Sequence, residues 1–105
     1  MDRHQLSYYM LDADGNVQTT TDMDLWANWY FKIGNRRVGL TDLGDKGTVS
    51  TVFISTLMLP LLYPEWETMY DPVAGEKQFW RWDSLAEAKL GHKEVVELIK
   101  NGGVE

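Results

Sequence analysis

Two histidines, His4 and His92, are the only side chains in this 105-residue chain whose ordinary pKa lies near neutrality. They are too few for most histidine-based metal sites. There is no cysteine, which removes disulfides, thiolate catalysis and cysteine-based zinc or iron–sulfur centres. Serine and threonine are plentiful, but none sits in a Gly-x-Ser-x-Gly turn that would expose a nucleophile. Neither a phosphate-binding Walker loop nor a dinucleotide fingerprint occurs. The stretch LGDKG, residues 43–47, has two glycines and a lysine without the Walker spacing, and reads as a turn. DADGN, residues 12–16, invites a calcium-loop reading, but placing Gly15 at the sixth loop position puts Met10 at the first and Thr21 at the twelfth. Glu65 and Glu67 lie two apart and can share one strand face, a weak basis for acid–base work. No catalytic residue, metal or cofactor is assigned, and the reading leans away from an enzyme.

One constellation could still serve a small ligand. Arg36 and Arg37 enter a strand side by side and must point to opposite faces, so one of them can reach a pocket. A guanidinium there would grip a carboxylate or phosphate. The bland alternative pairs it with a surface acid. His92 lies in an apolar helix stripe, where a core histidine bonded through its ring nitrogens competes with a base or ligand. A sheet-face pocket around Arg37, Trp80 and His92 is the resulting ligand-site expectation. Gly91 costs a helix about 1 kcal/mol against Ala, which predicts close approach of another backbone.

These residues need elements to hold them. SYYML, a DADGN turn and VQTTT predict strand, turn and extended return. Trp26, Trp29, Tyr30 and Ile33 recur with a helical period, with Thr21 or Asp22 as cap and Gly34-Asn35 as stop. RRVGLTD and GTVSTVFIS predict two strands about the Gly44–Gly47 turn. Val49, Thr51 and Phe53 would line one face of the second, a central strand. WETMYD and KQFWRWD predict two more, with a turn at Pro72 and Gly75, and with Trp80 and Trp82 on one face. Ser84-Leu85-Ala86-Glu87 is a capping box opening a helix to about Lys100, with Leu85, Ala88, His92, Val95, Val96 and Ile99 in one stripe. Together they predict a single domain, residues 1–105, of α+β class: an antiparallel sheet of four to five strands with two helices packed on one face.

Sixteen acids against ten bases give a net charge of −6, which disfavours attraction to nucleic-acid phosphate. The N-terminal stretch MDRHQLSYYMLDADG lacks the apolar core of a signal peptide, so secretion is not expected. No charge occurs between Lys46 and Glu65. A membrane helix needs about 20 predominantly apolar residues, and this run is broken by Pro60 and dotted with Thr and Ser, so no membrane span is expected. It divides near Ser55-Thr56 into a strand and an apolar, proline-bounded loop. Such a loop tucks into the core, meets a second subunit or offers a sticky patch. Leu57, Met58, Leu59, Leu61, Leu62, Tyr63 and Trp66 are the candidate partner-binding residues.

NRRVGLTDLGDKGTVSTVFIS, then PLLYPEWETMYD, then RWDSLAEAKLGHKEVV, resembles a family of small uncharacterised proteins encoded by bacteriophages and prophages. The likeness covers about residues 22–100 and is clearest at Val49–Phe53, Glu67-Thr68-Met69 and Gly91-His92. It implies origin rather than mechanism, and with it a host-cytoplasm setting. Where that family carries a polar, glycine-rich loop containing Asp-His, this chain has Ser55-Thr56-Leu57-Met58-Leu59. Three readings follow: a non-catalytic protein that binds a host or defence protein through an apolar and aromatic surface; a small-ligand binder or minor enzyme; or a self-associating accessory of virion assembly.

Overall fold

Val49, Thr51 and Phe53 are each 0% exposed and alternate with half-buried Ser50, Val52 and Ile54. That two-residue period makes residues 48–54 a strand with one face sealed. The computed structural model of the chain describes residues 7–54, 64–102 and the backbone of 57–58. Its elements are β1 (Ser7–Leu11), β2 (Val17–Thr20), α1 (Met23–Tyr30), the one-turn helix α2 (Ile33–Arg36), β3 (Arg37–Asp42), β4 (Thr48–Ile54), β5 (Leu57–Met58), β6 (Glu65–Asp71), β7 (Gln78–Trp82) and α3 (Leu85–Lys100). All strand pairs are antiparallel, and the architecture is α+β as expected. The strands divide into two sheets rather than one: β3-β4-β6-β7, and a smaller β2-β1-β5. The larger sheet has β4 inside, where the even apolarity of its two faces placed it. No helix among the described residues is long and apolar enough to cross a membrane.

Local chemistry sets the boundaries. Asp22 caps α1 by accepting from the Leu25 amide, and Ser84 caps α3 by accepting from that of Glu87. Glu87 returns a bond to the Asp83 amide, one residue before the cap that a standard capping box would use. The DADGN loop is a turn: Asp12 Oδ1 accepts from the Asp14 and Asn16 amides, both at 2.9 Å. Gly47 adopts φ 103° against the Asp71 carbonyl, where a Cβ would collide with backbone. The first helix ends at Tyr30, earlier than Gly34-Asn35, and Ile33 falls into α2, exposed rather than in the stripe.

One face of the larger sheet carries α3, and its packing divides into two apolar clusters. Tyr9, Leu11, Phe53, Trp66 and Ala88 form one. Val49, Tyr70, Val95, Val96 and Ile99 form the other. Each of β4, β6 and α3 crosses from one cluster to the other through a buried polar residue: Thr51, Thr68 and His92. The smaller sheet joins the first cluster through Tyr9 and Leu11. On its other side Tyr8 stacks on Trp26, which stacks on Tyr30, with centroids 4.7 and 4.9 Å apart.

Candidate functional site

Most of the expected partner-binding loop, residues 59–63, lies outside the described residues. Leu57 and Met58 are placed as backbone, pairing with Tyr8 and Ser7 to close the smaller sheet. Trp66, expected on the binding surface, is 3% exposed, its ring centroid 5.0 Å from that of Phe53. Strand alternation turns it toward α3 with Thr68 and Tyr70, so it is a core residue. Its indole N–H is buried with no hydrogen-bond partner among the described residues.

The cleft that Arg37 lines includes neither Trp80 nor His92. Trp80 packs against the second apolar cluster. His92 is buried at the centre of a polar row across the sheet. Its Nδ1 lies 2.7 Å from Thr51 Oγ1, and its Nε2 lies 2.9 Å from Thr41 Oγ1. Thr51 and Thr68, directly opposed on β4 and β6, join their hydroxyls, and the Trp82 Nε1–H donates to Thr68 Oγ1 at 2.9 Å. An indole nitrogen only donates. Thr68 therefore accepts from Trp82 and can pass its own proton to Thr51, which donates to His92 Nδ1. A neutral ring with its proton on Nε2 then donates to Thr41, and each bond uses one proton. Burial lowers the His92 pKa below the ordinary 6.5, favouring that neutral ring. A histidine so engaged packs and orients; it offers no free nitrogen to a substrate.

Two glycines make room for this row. A Cβ on Gly39 would sit 3.1 Å from the His92 ring. One on Gly91 would run into the Trp82 indole. The close approach expected at Gly91 is real, but it comes from a side chain rather than a backbone.

The two arginines part at an element boundary rather than along one strand: Arg36 ends α2 and Arg37 opens β3. Arg36 turns inward, donating to the carbonyls of Tyr30 and Phe53 at 2.9 and 3.0 Å and lying 4.0 Å over the Tyr30 ring. Arg37 lines a cleft of about 490 Å³ at the junction of the β1–β2 turn, α1, α2, β3 and α3. Neither arginine pairs with a carboxylate among the described residues.

The second feature is the sheet face that α3 leaves uncovered. One register row across it reads Leu40, Ser50, Met69, Phe79. Leu40 and Phe79 are each 54% exposed, at the two ends of the row. Glu65 and Glu67, the pair considered for acid–base work, lie beside it and bond Arg81 at 3.2 and 2.9 Å, an exposed ion-pair cluster. Asp42 and Asp71 stand on the opposite side of the row, a register step beyond Leu40 and Met69. The only sequence signal for this surface is Phe79 alternating with Trp80 and Trp82; Leu40 gains meaning only from cross-strand register. Among the described residues no three His, Asp or Glu side chains gather as a metal site. Comparison with family models, with curated proteins and with solved structures finds no match for this chain, and so none for the phage-family likeness.

Proposed function

We propose that this chain is a non-catalytic binding protein that docks on a protein partner through an apolar and aromatic surface, the uncovered face of the four-stranded sheet. The observation that carries this reading is the row Leu40–Ser50–Met69–Phe79, about 15 Å long at normal strand spacing. It is flanked by Asp42 and Asp71 on one side and by the Arg81–Glu67–Glu65 cluster on the other. An apolar strip inside a charged rim is the usual anatomy of a protein interface. Small molecules favour concave sites, and an extended sheet face suits a macromolecule. The flanking aspartates and the −6 net charge disfavour a nucleic acid in that place. A phage origin and a host or defence protein as partner extend this reading from the sequence likeness.

Leu40→Asp and Phe79→Asp test it, because both side chains are exposed and neither supports the core. Leu90→Asp on α3, at a 59% exposed position, is the matched control. A partner captured by the wild-type chain is expected to be lost with the two sheet variants and kept by the control. Equal capture by all three folded variants overturns the reading. Sedimentation of the isolated chain distinguishes a foreign partner from a second copy.

A further inference from the structure

The geometry points to a second site, independent of the sheet face: the cleft lined by Arg37 and Lys89 takes a small anion carried on a flat apolar body. At about 490 Å³ the cleft lies within the usual size range of ligand sites. Its apolar lining comes from Leu11, Trp29, Val38 and Leu85. The same four belong to, or pack against, the cluster of Phe53, Trp66 and Ala88. That side of the cleft is thus the outer surface of the core, already held in shape before any ligand arrives. Trp29 is fixed edge-on against Phe53, at a centroid distance of 6.0 Å.

The bonding groups left free in the polar lining point to the ligand's head group. Arg37 and Lys89 come from different elements, β3 and α3, onto one concavity, and neither has an ion pair among the described residues. Asp12 and Asp14 also line it. Asp12 is occupied: one oxygen accepts from two backbone amides and the other from Gln18 Nε2 at 3.3 Å. Those amide bonds hold its pKa below the ordinary value, so it serves as the fastener of the turn that forms one wall. Asp12 and Asp14 balance the two cations in formal charge, but with Asp12's oxygens taken up by the turn, the groups left to bond a ligand among the described residues are two cationic donors and one carboxylate, Asp14. A guanidinium offers a planar fork that matches carboxylate or phosphate oxygens, and an ammonium adds a point charge. The shared ligand chemistry is a carboxylate or a phosphate monoester attached to a planar ring.

The test titrates isotope-labelled protein with 2-naphthoate, 2-naphthyl phosphate and the neutral 2-naphthol at low salt, following backbone amide shifts. Saturable shifts at Gly15, Asn35 and Lys89 are expected with at least one anion, and about tenfold weaker binding of the naphthol. Whichever anion binds tighter assigns the head group. Arg37→Gln and Lys89→Gln should each weaken binding about tenfold, while Lys93→Gln, on the same helix outside the cleft, should not. All three side chains are exposed, and the amide spectrum itself reports that each variant is folded. The inference is overturned if neither anion gives saturable shifts at these amides, if the naphthol binds as well, or if Arg37→Gln and Lys89→Gln both retain wild-type affinity.

Discussion

Thr51→Val is the most informative single change. It keeps the shape and the β-branch and deletes one hydroxyl, at a position that is 0% exposed. That hydroxyl bonds both His92 Nδ1 and Thr68 Oγ1. Without it the ring nitrogen is left buried with no partner. Thr68 still accepts from Trp82 but loses the acceptor for its own proton. One fully orphaned group costs about 1–3 kcal/mol, and the half-satisfied Thr68 adds to this. Burying a methyl in place of a hydroxyl returns part of the loss, leaving a net cost of about 2–4 kcal/mol. A domain of this kind has about 5–15 kcal/mol in hand. Urea unfolding followed by tryptophan fluorescence should show a midpoint lower by about 2 M with an unchanged slope. Thr51→Ser keeps the hydroxyl and loses only a methyl group, at a cost of about 1 kcal/mol. If the valine variant is as stable as the serine variant, the polar row is not what Thr51 contributes, and the proton order given above is wrong.

Two further outcomes follow from the same packing. The folded-state pKa of His92 lies below the ordinary 6.5, so the unfolded chain takes up this proton first as pH falls. The contribution of a neutral His92 is fully present above about pH 6.5. It declines as pH drops from there through the lowered folded value. The urea midpoint should therefore fall between pH 7 and 5.5, and His92 ring resonances should titrate below 6.5; titration above that value contradicts the burial account. Gly91→Ala gains about 1 kcal/mol of helix propensity but forces a Cβ into the Trp82 indole, which its bond to Thr68 holds in place. Overpacking of this kind costs about 1–3 kcal/mol. The variant should melt lower than wild type, and a higher melting temperature would show that the indole moves aside freely.

Part of the molecule is legible in its sequence. The run of α3 from Leu85 to Lys100, its cap at Ser84 and its stripe of Leu85, Ala88, His92, Val95, Val96 and Ile99 are local matters of period and capping; all but the partly buried Leu85 are buried in the structure. The Gly44–Gly47 turn and the opposed faces of Trp80 and Phe79 are local in the same way. The start of the small aromatic helix at Asp22 is written in its capping residue, whereas its end is not, because Ile33 continues a helical period that the chain abandons at Phe31.

What tertiary structure decided is everything that depends on which strand lies beside which. The sequence establishes that Thr51, Thr68 and His92 stand on faces that will be buried; it does not say that they meet. Antiparallel register sets Thr51 opposite Thr68, and the glycines at 39 and 91 admit the ring and the indole between helix and sheet. The same register strings Leu40 and Phe79, 39 positions apart in the chain, into one exposed row. It turns Trp66 inward, away from the partner surface that its apolar neighbours had implied. Arg37 reaches a cleft and Arg36 does not because the chain passes from α2 into β3 between them, and the cleft itself exists only where the β1–β2 turn and α3 supply its walls. Period and capping act within a few residues and are written in the sequence. Partnership across a sheet is settled by which arrangement buries the apolar faces and pairs most buried polar groups at once, and that sum is taken only in the folded chain.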